Sequence, residues 1–99
     1  MQVQISSPAE LGLVVRAARK AQGLRLDDAA AFAGVGPVFA GDVERGKTTV
    51  QLGLVLKLLQ QLGLKVLIDA PAATEPALAS LRARAPRERQ KRVRKAPQG

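Results

Sequence analysis

The chain has 99 residues, enough for one small domain and a tail, and 46% are apolar, so a packed core is within reach. Phe32 and Phe39 are its only aromatic residues, which leaves Leu, Val and Ala to build that core. Cys and His are absent, excluding a disulfide framework, thiolate or zinc-finger sites, and any Ser-His or Cys-His catalytic pair. No catalytic residue, metal or cofactor is expected, and an enzyme is not the expected class. The net charge of +8 is unevenly placed: residues 1–79 carry eight basic and seven acidic side chains, residues 80–99 eight basic ones against Glu88 alone. The apolar runs are too short for a membrane span and no secretion signal is recognisable, so a cytoplasmic location is expected.

Val3 and Ile5 alternate with Gln2 and Gln4, the pattern of one short strand. Ser7-Pro8-Ala9-Glu10 reads as a capping box, with Pro at the first helical position, and opens a helix over about 8–22. Leu11, Val14, Val15 and Ala18 form its apolar face, Arg16, Arg19 and Lys20 suit its C-terminal end, and Gly23 stops it. A short helix follows over 26–33, with Asp27 and Asp28 in its first turn and Gly34 at its end. Gly36-Pro37 starts a third, running to Arg45 before Gly46. Thr48 or Thr49 is expected to cap a fourth helix whose apolar stripe is Leu52, Val55, Leu56, Leu59 and Leu62, closed by Gly63. Leu64-Lys65-Val66-Leu67-Ile68-Asp69 then alternates like a strand. From residue 71 the composition turns to Pro, Ala and Arg, which predicts a disordered basic tail over 71–99, within which 77–85 can become helical on binding.

Gly41-Asp42-Val43-Glu44-Arg45-Gly46-Lys47-Thr48 satisfies the phosphate-loop pattern G-x-x-x-x-G-K-[ST], and Asp69 at the end of the later apolar run mimics a magnesium-holding acid. Two acidic residues inside the loop oppose a triphosphate. A helix start precedes the motif where a buried strand is needed, and one good strand does not make a parallel sheet. Nucleotide binding is therefore the remote alternative.

Short helices separated by Gly34-Val35-Gly36 describe a helix-turn-helix unit in a small bundle. Residues 11–69 resemble the Xre-type helix-turn-helix repressors, and more closely the HipB-like antitoxins. The resemblance is carried by Leu13-Val14-Val15-Arg16-Ala17-Ala18-Arg19-Lys20, Gln22-Gly23-Leu24, Ala33-Gly34-Val35, Val43-Glu44-Arg45-Gly46-Lys47 and Leu56-Lys57-Leu58-Leu59 through Leu62-Gly63-Leu64. It implies an all-α, four- to five-helix lambda-repressor-like bundle over 1–70 and a structural salt bridge between Arg19 and Glu44. It also implies a final strand, using Leu64, Val66, Leu67 and Ile68, that pairs across a homodimer; pairing with residues 2–5 is the alternative.

The resemblance puts the groove-facing positions at Gly36, Pro37 and Val38, with Gly41 and Asp42 one turn later. This sequence departs from the family there. Relatives place hydrogen-bonding side chains at these positions, whereas here Val38 offers a contact for a thymine methyl and Asp42 an acceptor for a cytosine amine. Arg25-Leu26 also replaces the usual Thr-Gln at the start of the second helix. Two accounts compete. Either affinity comes from phosphate contacts by Arg25, Lys47, Thr48, Thr49 and the tail, or the module has become a protein-interaction scaffold. The tail residues are Arg82, Arg84, Arg87, Arg89, Lys91, Arg92, Arg94 and Lys95, open to a solvated run, a phosphate-neutralising arm or a segment folding on a protein partner. The expected function is a dimeric repressor of its own operon that binds double-stranded DNA, with the resemblance adding a HipA-like kinase toxin as partner.

Overall fold

A computed structural model describes residues 1–84, which contain five helices: α1 (Pro8–Ala21), α2 (Leu26–Ala33), α3 (Pro37–Glu44), α4 (Leu52–Gln61) and α5 (Thr74–Arg84). The chain divides into two units, Met1–Val66 and one starting at Leu67. In the first, α1 packs on α3, while α2 packs on both α3 and α4. Val15, Ala29, Ala30, Ala40, Val43, Val55, Leu58, Leu59 and Leu62 form the core, so Leu, Val and Ala do fill the interior.

Local chemistry sets the helix boundaries. The Ser7 hydroxyl accepts from the Glu10 N–H at the start of α1, and Pro8 sits where a missing N–H costs nothing. The Glu10 carboxylate reaches one residue further back than a capping box requires, accepting from both the N–H and the hydroxyl of Ser6 at 2.7 Å. Gly23, Gly34, Gly46 and Gly63 all have positive φ and end α1 to α4 in turn. In each case the N–H of the following residue bonds the carbonyl five positions back: Leu24 to Arg19, Val35 to Ala30, Lys47 to Asp42 and Leu64 to Leu59. Leu24, Val35 and Leu64 pack against the core; Lys47 is the polar exception and is exposed.

Two contacts between backbones fix α1 against the end of α3. A Cβ at Gly12 would lie 2.5 Å from the carbonyl oxygens of both Val43 and Glu44, and one at Gly46 would lie 2.7 Å from Ala9 Cα. No larger residue fits either place without moving a helix.

Four expectations are corrected. No strand forms among the described residues: 1–6 and 64–70 lack secondary structure, because alternation alone supplies no partner for the ladder and Leu64 is drawn inward by the turn at Gly63. Neither Thr48 nor Thr49 caps α4; both lie in the preceding bend, and Gln51 is the cap residue, without a side-chain bond. The buried stripe of α4 is Val55, Leu58, Leu59 and Leu62, leaving Leu52 and Leu56 exposed. Thr74–Arg84 is helical where a disordered tail was expected: Ala and Leu favour a helix, Pro76 falls in the first turn, and Arg82 and Arg84 occupy the last. None of its residues is buried. The remaining tail positions, Arg87, Arg89, Lys91, Arg92, Arg94 and Lys95, lie outside the described residues.

Candidate nucleic-acid interface

Gly34 in the left-handed conformation ends α2, Val35 turns inward and Gly36 caps α3, so the two helices form a compact helix-turn-helix. Arg19 secures it from α1. Its Nε and Nη2 donate to the two Glu44 carboxylate oxygens at 2.6 and 3.0 Å, while Nη1 donates to the Leu24 carbonyl at 2.9 Å. The Glu44 carboxylate holds the Arg19 guanidinium above the usual arginine pKa, chiefly through that hydrogen bond. The expected bridge is therefore present, and it joins three elements. Gln22 adds a fourth connection, donating from Nε2 to the Leu62 carbonyl at the end of α4.

The inner side of α3 is Ala40 and Val43, and Gly41 is buried as well, beneath Arg45 and Leu26. Its outer side starts with exposed Gly36, Pro37 and Val38, the last 76% exposed. Val38, Asp42 and Arg45, at i, i+4 and i+7, continue along that side. Asp42 is bracketed by cations: Oδ1 accepts from Arg45 Nη2 at 2.6 Å, and Lys47 Nζ lies 3.6 Å from Oδ2. Its negative charge is locally offset. Arg25, at the start of α2, is well exposed, with only a loose 3.8 Å contact to Asp27. Thr48 and Thr49 are exposed between α3 and α4.

The site residues thus separate into three sets. Arg25, Val38, Asp42, Lys47 and the two threonines are accessible, and Gly36 and Pro37 form the exposed tip of α3. Gly41 is buried instead of surface-facing, because Arg45 and Leu26 lie over it. Leu64 is occupied by the core, while Val66, Leu67 and Ile68 are exposed. Sequence reasoning overlooked Arg45 and Arg16, which with Arg19, Leu26, Gly41 and Glu44 line a shallow cleft of about 220 Å³. No spacing in the sequence links these residues, which sit on or beside three different helices and meet only in the packed fold.

The phosphate-loop pattern has a different use here. Gly41 lies inside α3, Gly46 makes the left-handed turn after it, and the Gly46 and Lys47 N–H groups bond the carbonyls of Val43 and Asp42. Those donors close a helix and do not cradle an anion.

Two short helices joined by a glycine turn and braced by a first helix through Arg19 and Glu44 define a helix-turn-helix module. The model of the helix-turn-helix domain family matches residues 10–69. The chain belongs to that family of DNA-binding transcriptional regulators, which is not an enzyme family. It is 49% identical over 71 residues to the uncharacterized HTH-type transcriptional regulator y4mF of Sinorhizobium fredii, covering 72% of this chain and 93% of that protein. Among solved structures, a chain of the HipA-HipB-O2-O3 complex superposes with a TM-score of 0.65 at 22% identity, covering 70% of this chain and 97% of that one. The restriction-modification controller protein C.AhdI from Aeromonas hydrophila is 33% identical with a TM-score of 0.53, covering 59% of this chain and 84% of that one. No described helix is long and apolar enough to cross a membrane.

Proposed function

We propose that this protein is a homodimeric repressor that binds double-stranded DNA at its own operon mainly through phosphate contacts. The observation that carries this reading is the outer side of the helix-turn-helix. Exposed Arg25 and Lys47 belong to the same module as an apolar tip at Val38, and the first turn of α3 offers no side-chain hydrogen-bond donor. Thr48 and Thr49 add hydroxyls next to Lys47 in the chain, and residues 80–99 contribute eight further basic side chains. Val66, Leu67 and Ile68, the most exposed apolar run of the described chain, form the dimer contact. Two copies then offer two α3 helices to half-sites one helical turn apart. The fold shared with a chain of the HipA-HipB-O2-O3 complex supports a HipA-like kinase toxin as protein partner, this chain acting as its antitoxin.

A mobility-shift titration of the full chain on DNA upstream of its gene, at two salt concentrations, tests the first part. Binding at low salt that falls steeply with added salt is expected, the logarithmic slope dropping by about 0.9 for each phosphate contact removed. A chain ending at Pro71 should bind less tightly with a shallower slope. No shift of the full chain at low salt would leave the interaction scaffold as the better reading. Co-purification with a kinase-like product encoded beside it tests the toxin partnership.

A further inference from the structure

Gly36, Pro37, Val38 and Phe39 supply no side-chain donor where a recognition helix usually first meets base edges. Beyond that turn, Glu44 is already taken by Arg19. Hydrogen-bonding capacity on the outer side of α3 is therefore confined to Asp42 and Arg45, with Lys47 just past the helix. Arg45 does not extend off the helix end. Its guanidinium folds back over Gly41, where an added Cβ would lie 3.0 Å from Nη1 and 3.6 Å from Cζ. Asp42 Oδ1 then accepts from Nη2 at 2.6 Å, and Lys47 offsets the charge on the second oxygen.

We propose that Arg45 is the base-reading residue of this module, seated by Gly41 and oriented by Asp42, and that it recognises guanine in the major groove. This rests on the DNA-binding reading above. Guanine presents O6 and N7 as adjacent acceptors, matched by two donors of a planar guanidinium. One N–H donation to Asp42 leaves enough of the five donors free for both. A guanidinium already held by a carboxylate loses less rotamer freedom on binding than a free one. Gly41 and Asp42 are positioning residues: the first supplies the space, the second the orientation.

Selection from randomised duplexes by the full chain is expected to return one fixed guanine in each half-site. Replacing it should weaken wild-type binding about 10- to 100-fold at constant salt. Arg45→Ala should bind the guanine and substituted duplexes equally. Gly41→Ala and Asp42→Asn should reduce the guanine preference, with melting curves confirming that both remain folded; Ala is the better helix former at 41. Arg45→Ala losing the same factor on both duplexes would make Arg45 a phosphate contact and overturn the proposal while leaving DNA binding intact. A guanine preference unchanged in Gly41→Ala and Asp42→Asn would overturn the seat. A wild-type chain that binds no duplex at low salt overturns both this proposal and the reading on which it rests.

Discussion

The two sides of α3 are built from different kinds of contact. Its inner side meets α1 through Gly12 at the carbonyls of Val43 and Glu44, and through the doubly bonded Arg19–Glu44 pair. Its outer side carries Val38, Asp42 and Arg45, whose polar groups bond only to sequence neighbours. Changes on the inner side should therefore be felt in stability, and, under the proposed reading, changes on the outer side in DNA binding. A phosphate-loop pattern runs through both sides, but its residues serve the first purpose at Gly46 and the second at Lys47.

Substitutions can break or sharpen that division. The largest effect is expected at Gly12→Ala, whose Cβ would force α1 away from α3; a loss of about 3 kcal/mol in urea denaturation follows from overpacking. A loss below about 0.5 kcal/mol would show that the two helices slide freely. Glu44→Ala leaves the Arg19 guanidinium, whose side chain is only 12% exposed, without its carboxylate, and should cost about 2 kcal/mol. Val38→Arg should change stability by less than about 0.5 kcal/mol while raising DNA affinity at low salt and steepening the logarithmic salt slope by about 0.9. A large fall in its melting temperature would break the division between the two sides. Ser6→Ala should have the smallest effect. The Ser6 hydroxyl holds the Glu10 carboxyl below its usual value of 4.5, so its contribution is present above the unfolded pKa and is lost as pH falls through the folded one. The difference in melting temperature between wild type and Ser6→Ala should be small near neutral pH and vanish in acid; a difference that persists in acid counts against this role.

Where backbone chemistry decides, the sequence was readable. Ser7-Pro8 starts α1 because a hydroxyl and a missing N–H suit a helix start, and four glycines stop four helices because left-handed turns favour them. Where tertiary packing decides, it was not. The apolar run in α4 permits more than one stripe, and only the position of α2 selects Leu58 over Leu52. Leu64 begins an alternating run suited to a strand, yet the turn at Gly63 directs it to the core. The prolines of the tail argue against a long helix and leave 77–85 helical only on binding, but Pro76 occupies a first-turn position where proline is tolerated. In the candidate site, Arg25 and Lys47 were legible as exposed cations. Gly41 is buried and Arg45 joins the site because an arginine side chain and a Leu26 methyl from another helix both lie over that glycine, an arrangement only the packed fold supplies.

Ala9 against Gly46, and Gly12 against Val43 and Glu44, are meetings of main chain with main chain. Such meetings have no rotamers to adjust, so the tilt of α3 is decided before any interior side chain is chosen. Exchanging Val15, Val55 or Leu58 for apolar residues of similar volume would alter how firmly the module holds together, but not the angle at which α3 is presented. The interior and the outward surface can therefore diverge on independent schedules.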